Sequence, residues 1–282
     1  MTQYAYLHGL SSSPVGTKAV ALSDAFHVEG MKLHCPDLNR PSFDTLTFDA
    51  ALAALDDLAA QFPTERWRIV GSSMGGYLAA RWAQLNPARV ERLLLLCPGF
   101  DLASRWPSLL GAAALDTWER EGAFPIPDGT GTPVMVHWGF VTSARSHPPF
   151  PEFRCRARII HGRQDDVVLF DSSDTYAKAR PHVDLIEVDD DHRMIASLPT
   201  IKKSALEWLP RSDYHWDFFG PERRPTATHF LAHLQEFLDR HDRGHLPTSV
   251  SDPNDHTTVV TCEAPLGDEP MLVQALRPQR KT

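Results

Sequence analysis

Residues 67–80 read Trp67-Arg68-Ile69-Val70-Gly71-Ser72-Ser73-Met74-Gly75-Gly76-Tyr77-Leu78-Ala79-Ala80. Trp67 to Val70 is rich in aromatic and β-branched side chains and reads as a short strand. From Gly76 onward, Tyr77, Leu78, Ala80, Arg81 and Trp82 read as a helix that packs on a sheet. Between them, Gly71-Ser72-Ser73-Met74-Gly75 fits G-x-S-x-G, the pattern of a sharp strand-to-helix turn carrying a serine. Neighbours without bulk let strand and helix pack closely around the strained serine. Its Oγ is pushed to the top of the sheet, where the helix N-terminus offers free N–H groups to a developing anion. An ordinary Gly/Ser turn has the same spacing, so the reading depends on what the rest of the chain supplies.

Outward from this turn the chain alternates. Residues 4–7 read as a strand ending at His8-Gly9-Leu10, before the small-residue loop Ser11-Ser12-Ser13-Pro14. Residues 18–26 read as a helix, 31–35 as a strand, and the alanine-rich 48–62 as a helix with Leu52, Leu55, Leu58 and Ala59 on one face. Residues 90–97 form a near-continuous apolar run, the signature of a parallel strand buried on both faces. Strands at 158–160 and 183–188 follow, each before a helical stretch, at 172–180 and 194–209. The expected fold is α/β, a mostly parallel sheet with helices on both faces.

Two stretches break the alternation. Residues 100–151 hold Trp106, Trp118, Trp138 and several prolines, with Asp128-Gly129 as a turn between extended pieces. An insertion there sits above the C-terminal strand ends, and we read it as a cap lined by aromatics. After Leu209-Pro210 comes an extension, 211–282, expected to be partly flexible. In it, 226–241 is the one clear amphipathic helix, with Gly244 as its cap; 247–254 reads as loop, 257–262 as strand, and 277–282 as frayed. The domain reading is 1–210 plus this extension.

Composition excludes several classes. The 282 residues carry a net charge of −8 and no Lys/Arg run, so no nucleic-acid partner is expected. No apolar run approaches the roughly 18 residues of a membrane span, and the first residues lack a signal-peptide pattern. Cys35, Cys97 and Cys155 read as buried thiols, and with Cys262 they form no disulfide framework. The expected location is the cytoplasm.

A serine hydroxyl needs a base to take its proton, and the base needs a carboxylate to orient it. On an open α/β sheet these come from loops at the C-terminal strand ends. One such loop is His161-Gly162-Arg163-Gln164-Asp165-Asp166-Val167-Val168; another is Asp191-His192-Arg193-Met194. The order Ser73, Asp165, His192 is nucleophile–acid–base. Ser72 lacks glycines two before and two after. Asp166 is one residue out of phase with Asp165, and only one of the two can face His192. His8 and His161 read as supports of loop geometry. The aspartates before His192 read as turn and cap residues. Arg105, Trp106 and Trp138 are candidates for substrate contact. His229 and His233, and His241 and His245, have the four-residue spacing of metal-binding pairs, but nothing completes a ligand set and a solvated helix face is favoured.

On His8-Gly9-Leu10-Ser11-Ser12-Ser13-Pro14 with Lys18-Ala19, Gly71 to Tyr77, His161-Gly162-x-x-Asp165-x-Val167 and Asp189-Asp190-Asp191-His192, the chain resembles the α/β-hydrolases of the small bacterial YqiA-type serine esterase group. The resemblance implies an α/β-hydrolase fold and a Ser-His-Asp triad. It implies hydrolysis of a small-molecule ester of short or medium acyl chain, without metal or cofactor. It points to the backbone N–H groups of Leu10 and Met74 as the oxyanion hole. The chain departs from the small esterases in residues 100–151 and in its extension. A thioesterase, amidase or acyltransferase would use the same triad, and a binding protein on the same fold is the reading outside enzymology.

Overall fold

The computed structural model of the chain describes residues 2–281. Strands and helices alternate through β1 (Thr2–Leu7), α1 (Thr17–Val28), β2 (Leu33–His34), α2 (Phe48–Ala60), β3 (Arg66–Ser72), α3 (Met74–Leu85) and β4 (Val90–Leu96). The insertion comprises α4 (Leu102–Leu110), α5 (Ala112–Glu121), a hairpin of β5 (Ala123–Pro127) and β6 (Pro133–His137), and α6 (Gly139–Arg145). Alternation resumes with β7 (Arg156–Gly162), α7 (Phe170–Lys178), β8 (Val183–Val188) and α8 (Leu198–Trp208). The six strands lie in the order β2-β1-β3-β4-β7-β8, each parallel to its neighbours.

The two-residue strand period divides the core between the faces of the sheet. Tyr4, Tyr6, Leu94 and Leu96 join Leu22 and Phe26 of α1 and Ile201 and Trp208 of α8. Ala5, Leu7, Leu93 and Leu95 join α2, α3 and the interior of the insertion. Leu93 to Leu96 are all fully buried, as the apolar run required. Helices thus cover both faces, the architecture that the resemblance implied.

Among the boundaries that differ from the sequence expectation are those of α3, β2 and α8. Helix α3 begins at Met74 rather than Gly76. Strand β2 keeps only Leu33 and His34, since its sole neighbour β1 registers with those two residues. Helix α8 begins at Leu198 rather than Met194: Met194 has a left-handed φ of 58°, and Asp190 Oδ2 accepts from Ser197 N–H at 2.7 Å, closing a turn before the helix.

A second compact unit starts at Pro210. It contains β9 (Arg211–Phe219), α9 (Arg223–Arg240), β10 (Thr248–Asn254), β11 (Thr257–Pro265), α10 (Glu269–Leu276) and β12 (Arg280–Lys281). Its antiparallel sheet has the order β10-β11-β9-β12, and Tyr214, Trp216, Leu234, Leu238 and Val260 share its core. The expectation of a single helix beside one strand is corrected: a second helix, α10, and three further strands accompany them. Residues 248–254 are an edge strand, where Pro253 is tolerated, and 280–281 pair with β9. Thr282 lies outside the described residues. Asp242, with a φ of 56°, takes the left-handed position after α9, and Arg243 N–H bonds Leu238 O at 2.7 Å; Gly244 does not cap the helix.

The cysteines are all free, with Cys97 and Cys262 buried and Cys35 and Cys155 half-buried. Among the described residues, no helix is long and apolar enough to cross a membrane.

Candidate active site

Ser73 occupies the single step between β3 and α3, with φ 54° and ψ −118°. A non-glycine residue in so sparsely populated a region costs on the order of 1–3 kcal/mol. The surroundings over-determine it: Ser73 N–H donates to Leu96 O at 2.9 Å, and Ser73 O accepts from Gly99 N–H at 2.9 Å and Tyr77 N–H at 3.1 Å. The glycines permit the close approach. A Cβ on Gly75 would lie 2.2 Å from Leu7 O, and one on Gly71 would lie 2.4 Å from Gly75 O. Ser73 is half-buried and Ser72, at the end of β3 in register with Leu96, is buried; both border one cavity, and only Ser73 is hydrogen-bonded to His192.

The loops after β7 and β8 bring their side chains to this serine. His192 Nε2 lies 2.9 Å from Ser73 Oγ, and His192 Nδ1 lies 2.7 Å from Asp165 Oδ2. With Nδ1–H donating to the carboxylate, Nε2 is left as the acceptor for the hydroxyl. Asp165 is buried and Asp166 is exposed. Oδ1 of Asp165 accepts from Val167 N–H at 2.9 Å and Val168 N–H at 2.8 Å. Burial alone would raise the Asp165 carboxyl, but the bonds from His161 and His192, the His192 charge and the Val168 amide outweigh it. They hold the carboxyl well below its ordinary range.

The supporting histidines have specific tasks. His161 Nε2 is 2.9 Å from Val168 O and 3.2 Å from Asp165 Oδ2, and its Nδ1 is 2.7 Å from Ser173 Oγ. It thus clamps the loop that carries Asp165. His8 Nε2 accepts from Leu38 N–H at 3.1 Å and its Nδ1 lies 2.9 Å from Gly9 O, which fixes the loop after β1. Burial lowers the His8 pKa, in keeping with a neutral, structural imidazole.

A cavity of about 410 Å³ opens above Ser73, with Leu10, Ser11, Lys18, Gly129 and His192 in its lining. Leu10 and Ser73 therefore share one cavity. Met74 opens α3, so its amide has no acceptor inside the helix. The insertion reaches this cavity through the tip of its hairpin: Gly129 lines it, and Ser11 Oγ donates to Pro127 O.

The aromatics of the insertion do not line the Ser73 cavity. Trp106 and Trp118 are buried, with ring centroids 5.8 Å apart, and Trp118 Nε1 donates to Val136 O at 2.8 Å. Trp138 packs 5.9 Å from Trp118 and under the guanidinium of Arg145. The expectation that Trp106 and Trp138 contact substrate is corrected: their apolar area is used in the core of the insertion. Arg105 also lies off the cavity lining; its Nη1 donates to Val167 O at 2.6 Å, bracing the Asp165 loop from α4. No spacing in the sequence signals this contact. Lys18 Nζ similarly donates to Arg193 O at 2.7 Å, next to His192.

Cys97, Asp165 and His192 bring ligand atoms within 4.8 Å of one another. Both nitrogens of His192 are already engaged, and burial pushes the Cys97 thiol up and keeps it protonated. This donor set does not suit a metal. On α9, the His229 and His233 rings stand edge to face, and His241 Nδ1 bonds Phe237 O at the helix end.

Comparison with known proteins places the fold. The bovine mitochondrial palmitoyl-protein thioesterase ABHD10 (Bos taurus) is 25% identical over 208 residues, which are 67% of this chain and 66% of that protein. The chain thus spans just under two thirds of that relative's length. Mouse alpha/beta hydrolase domain-containing protein 10 superposes with a TM-score of 0.61 at 21% identity, over 72% of this chain and 87% of that one. Est1E from Butyrivibrio proteoclasticus, solved with ferulic acid bound, gives 0.59 at 17% identity, over 72% and 86%. With its parallel sheet and helix-covered faces, the chain has the α/β-hydrolase fold, and it belongs to the uncharacterised protein family UPF0227, whose sequence pattern matches residues 3–203.

Proposed function

We propose that this protein is a serine hydrolase that cleaves carboxylic esters through an acyl-enzyme. The observation that supports it most is the unbroken chain of hydrogen bonds from Ser73 Oγ through His192 to Asp165. In the first half-reaction His192 Nε2 takes the Ser73 proton as Oγ attacks the ester carbonyl. Asp165 holds the imidazole and stabilises its cation. The Met74 and Leu10 amides donate to the tetrahedral oxyanion. Collapse expels the alcohol, which takes the proton from His192. Water then attacks the acyl-enzyme with His192 as base, releasing the acid and restoring Ser73. Every group has a task at neutral pH, because Asp165 is held ionised.

A thioester substrate is the second reading. The description of the bovine relative as a palmitoyl-protein thioesterase favours it, and the same residues perform the chemistry with a thiolate leaving group. For compartment, the free thiols fit the reducing cytoplasm, while the bovine relative is described as mitochondrial.

Incubation with a fluorophosphonate, followed by intact-mass and peptide analysis, tests the assignment. One adduct on Ser73, absent from Ser73→Ala, is expected. An unlabelled protein, or an adduct on Ser72, would overturn it.

A further inference from the structure

The cavity above Ser73 has a chemical bias that the reaction does not require. Its charged lining residues among the described residues are Lys18 and Arg193, beside His192, and no carboxylate lines it, in a chain of net charge −8. Hydroxyl-bearing Ser11, Ser12, Ser13 and Thr17 supply much of the rest. Asp190 and Asp191 lie close enough to act on the Lys18 charge, but their hydrogen bonds go to other groups. Asp190 accepts from Asp191 N–H at 2.8 Å and Ser197 N–H at 2.7 Å. Asp191 accepts from Arg193 N–H at 2.8 Å and lies 3.3 Å from Arg193 Nε. Arg193 is thereby paired. Lys18 feels Asp190 and Asp191 only through space: its hydrogen-bond partner among the described residues is the neutral carbonyl of Arg193, at 2.7 Å. An ammonium has three N–H donors, so one contact leaves donors and charge for the cavity.

We propose that this cavity takes a substrate bearing an anionic oxygen group, a carboxylate or a phosphate, and that Lys18 is the residue that reads it. This rests on the ester-hydrolase reading and names its substrate class. The ester carbonyl sits at Ser73 while the anionic group lies toward Lys18, across the hydroxyls of the Ser11–Ser13 loop. At about 410 Å³ the cavity is at the small end of the range for small-molecule sites, which suits a compact polar ester.

The test compares kcat/KM of the full chain for three matched butyryl esters. Their alcohols are ethylene glycol (neutral), glycolate (carboxylate) and 2-phosphoethanol (phosphate). The wild type is expected to prefer at least one anionic ester by roughly tenfold or more, and the larger ratio identifies the group. Lys18→Met should abolish that ratio, and Lys18→Arg should keep it. Equal wild-type rates on all three esters would overturn the proposal. A Lys18→Met loss in equal proportion for all three would also overturn it, and would make Lys18 only a brace for the His192 loop. Thermal unfolding of both variants separates misfolding from either result. No turnover and no Ser73 labelling would instead sink the ester-hydrolase reading, and this inference with it.

Discussion

Oδ2 of Asp165 lies 2.7 Å from Nδ1 of His192, although 27 positions separate them in the chain. The contact joins the loops after two adjacent parallel strands, β7 and β8, which register from Ala157 with Val183 to Gly162 with Val188. Strand pairing therefore sets which loops meet, and the local turns set which side chains do.

Asp165→Asn keeps the shape and removes the charge. In the proposed mechanism it lowers kcat by about 10³- to 10⁴-fold, because the imidazole loses its orienting carboxylate. Stability responds as well. The folded carboxyl titrates below its ordinary range, so its contribution is fully present above that range and is lost as the pH falls through the folded value. Urea unfolding at neutral pH should show the variant less stable by roughly 1–2 kcal/mol. The gap should narrow in acid, below about pH 4. A gap that widens on acidification would contradict the assignment.

Gly75→Ala tests the packing of the turn. The added Cβ meets the main-chain oxygens of Leu7 and His8, at 2.2 and 2.5 Å, and neither can step aside as a side chain would. A loss of roughly 2–4 kcal/mol in unfolding free energy is expected. Wild-type stability in this variant would mean that α3 and β1 do not approach as described.

Arg105→Met removes the donor to Val167 O but retains much of the side chain's apolar length. Since Val167 N–H also bonds Asp165, loosening this loop should lower kcat several-fold and leave KM nearly unchanged. A raised KM with unchanged kcat would show that Arg105 contacts substrate after all.

Much of this was legible because the signals are local. The apolar run Leu93 to Leu96 specified a strand buried on both faces. The glycines flanking Ser73 specified a close turn, and His161 at the end of β7 stands four residues before Asp165 in the loop that follows. The misreadings have a common cause in tertiary pairing. Strand β9 alternates buried Ser212, Tyr214 and Trp216 with more exposed neighbours, a period-two pattern that its charged and polar residues mask in the sequence. Residues 248–254 are rich in turn-formers, and β11 holds them as a strand nonetheless. Trp106 and Trp138 could not be told from a substrate lining, because a buried core and a pocket wall select the same aromatic side chains. Arg105 and Lys18 each act on a main-chain carbonyl of another loop. Such a contact leaves no pairwise trace in residue type.

The most direct measurement is hydrolysis of a p-nitrophenyl ester by the wild type, Ser73→Ala and Ser72→Ala, with unfolding curves to show that each variant is folded. The account predicts that Ser73→Ala loses turnover by about 10⁴-fold or more, while Ser72→Ala, whose hydroxyl lies at the buried end of β3, keeps most of it. Wild-type turnover in Ser73→Ala would contradict the account.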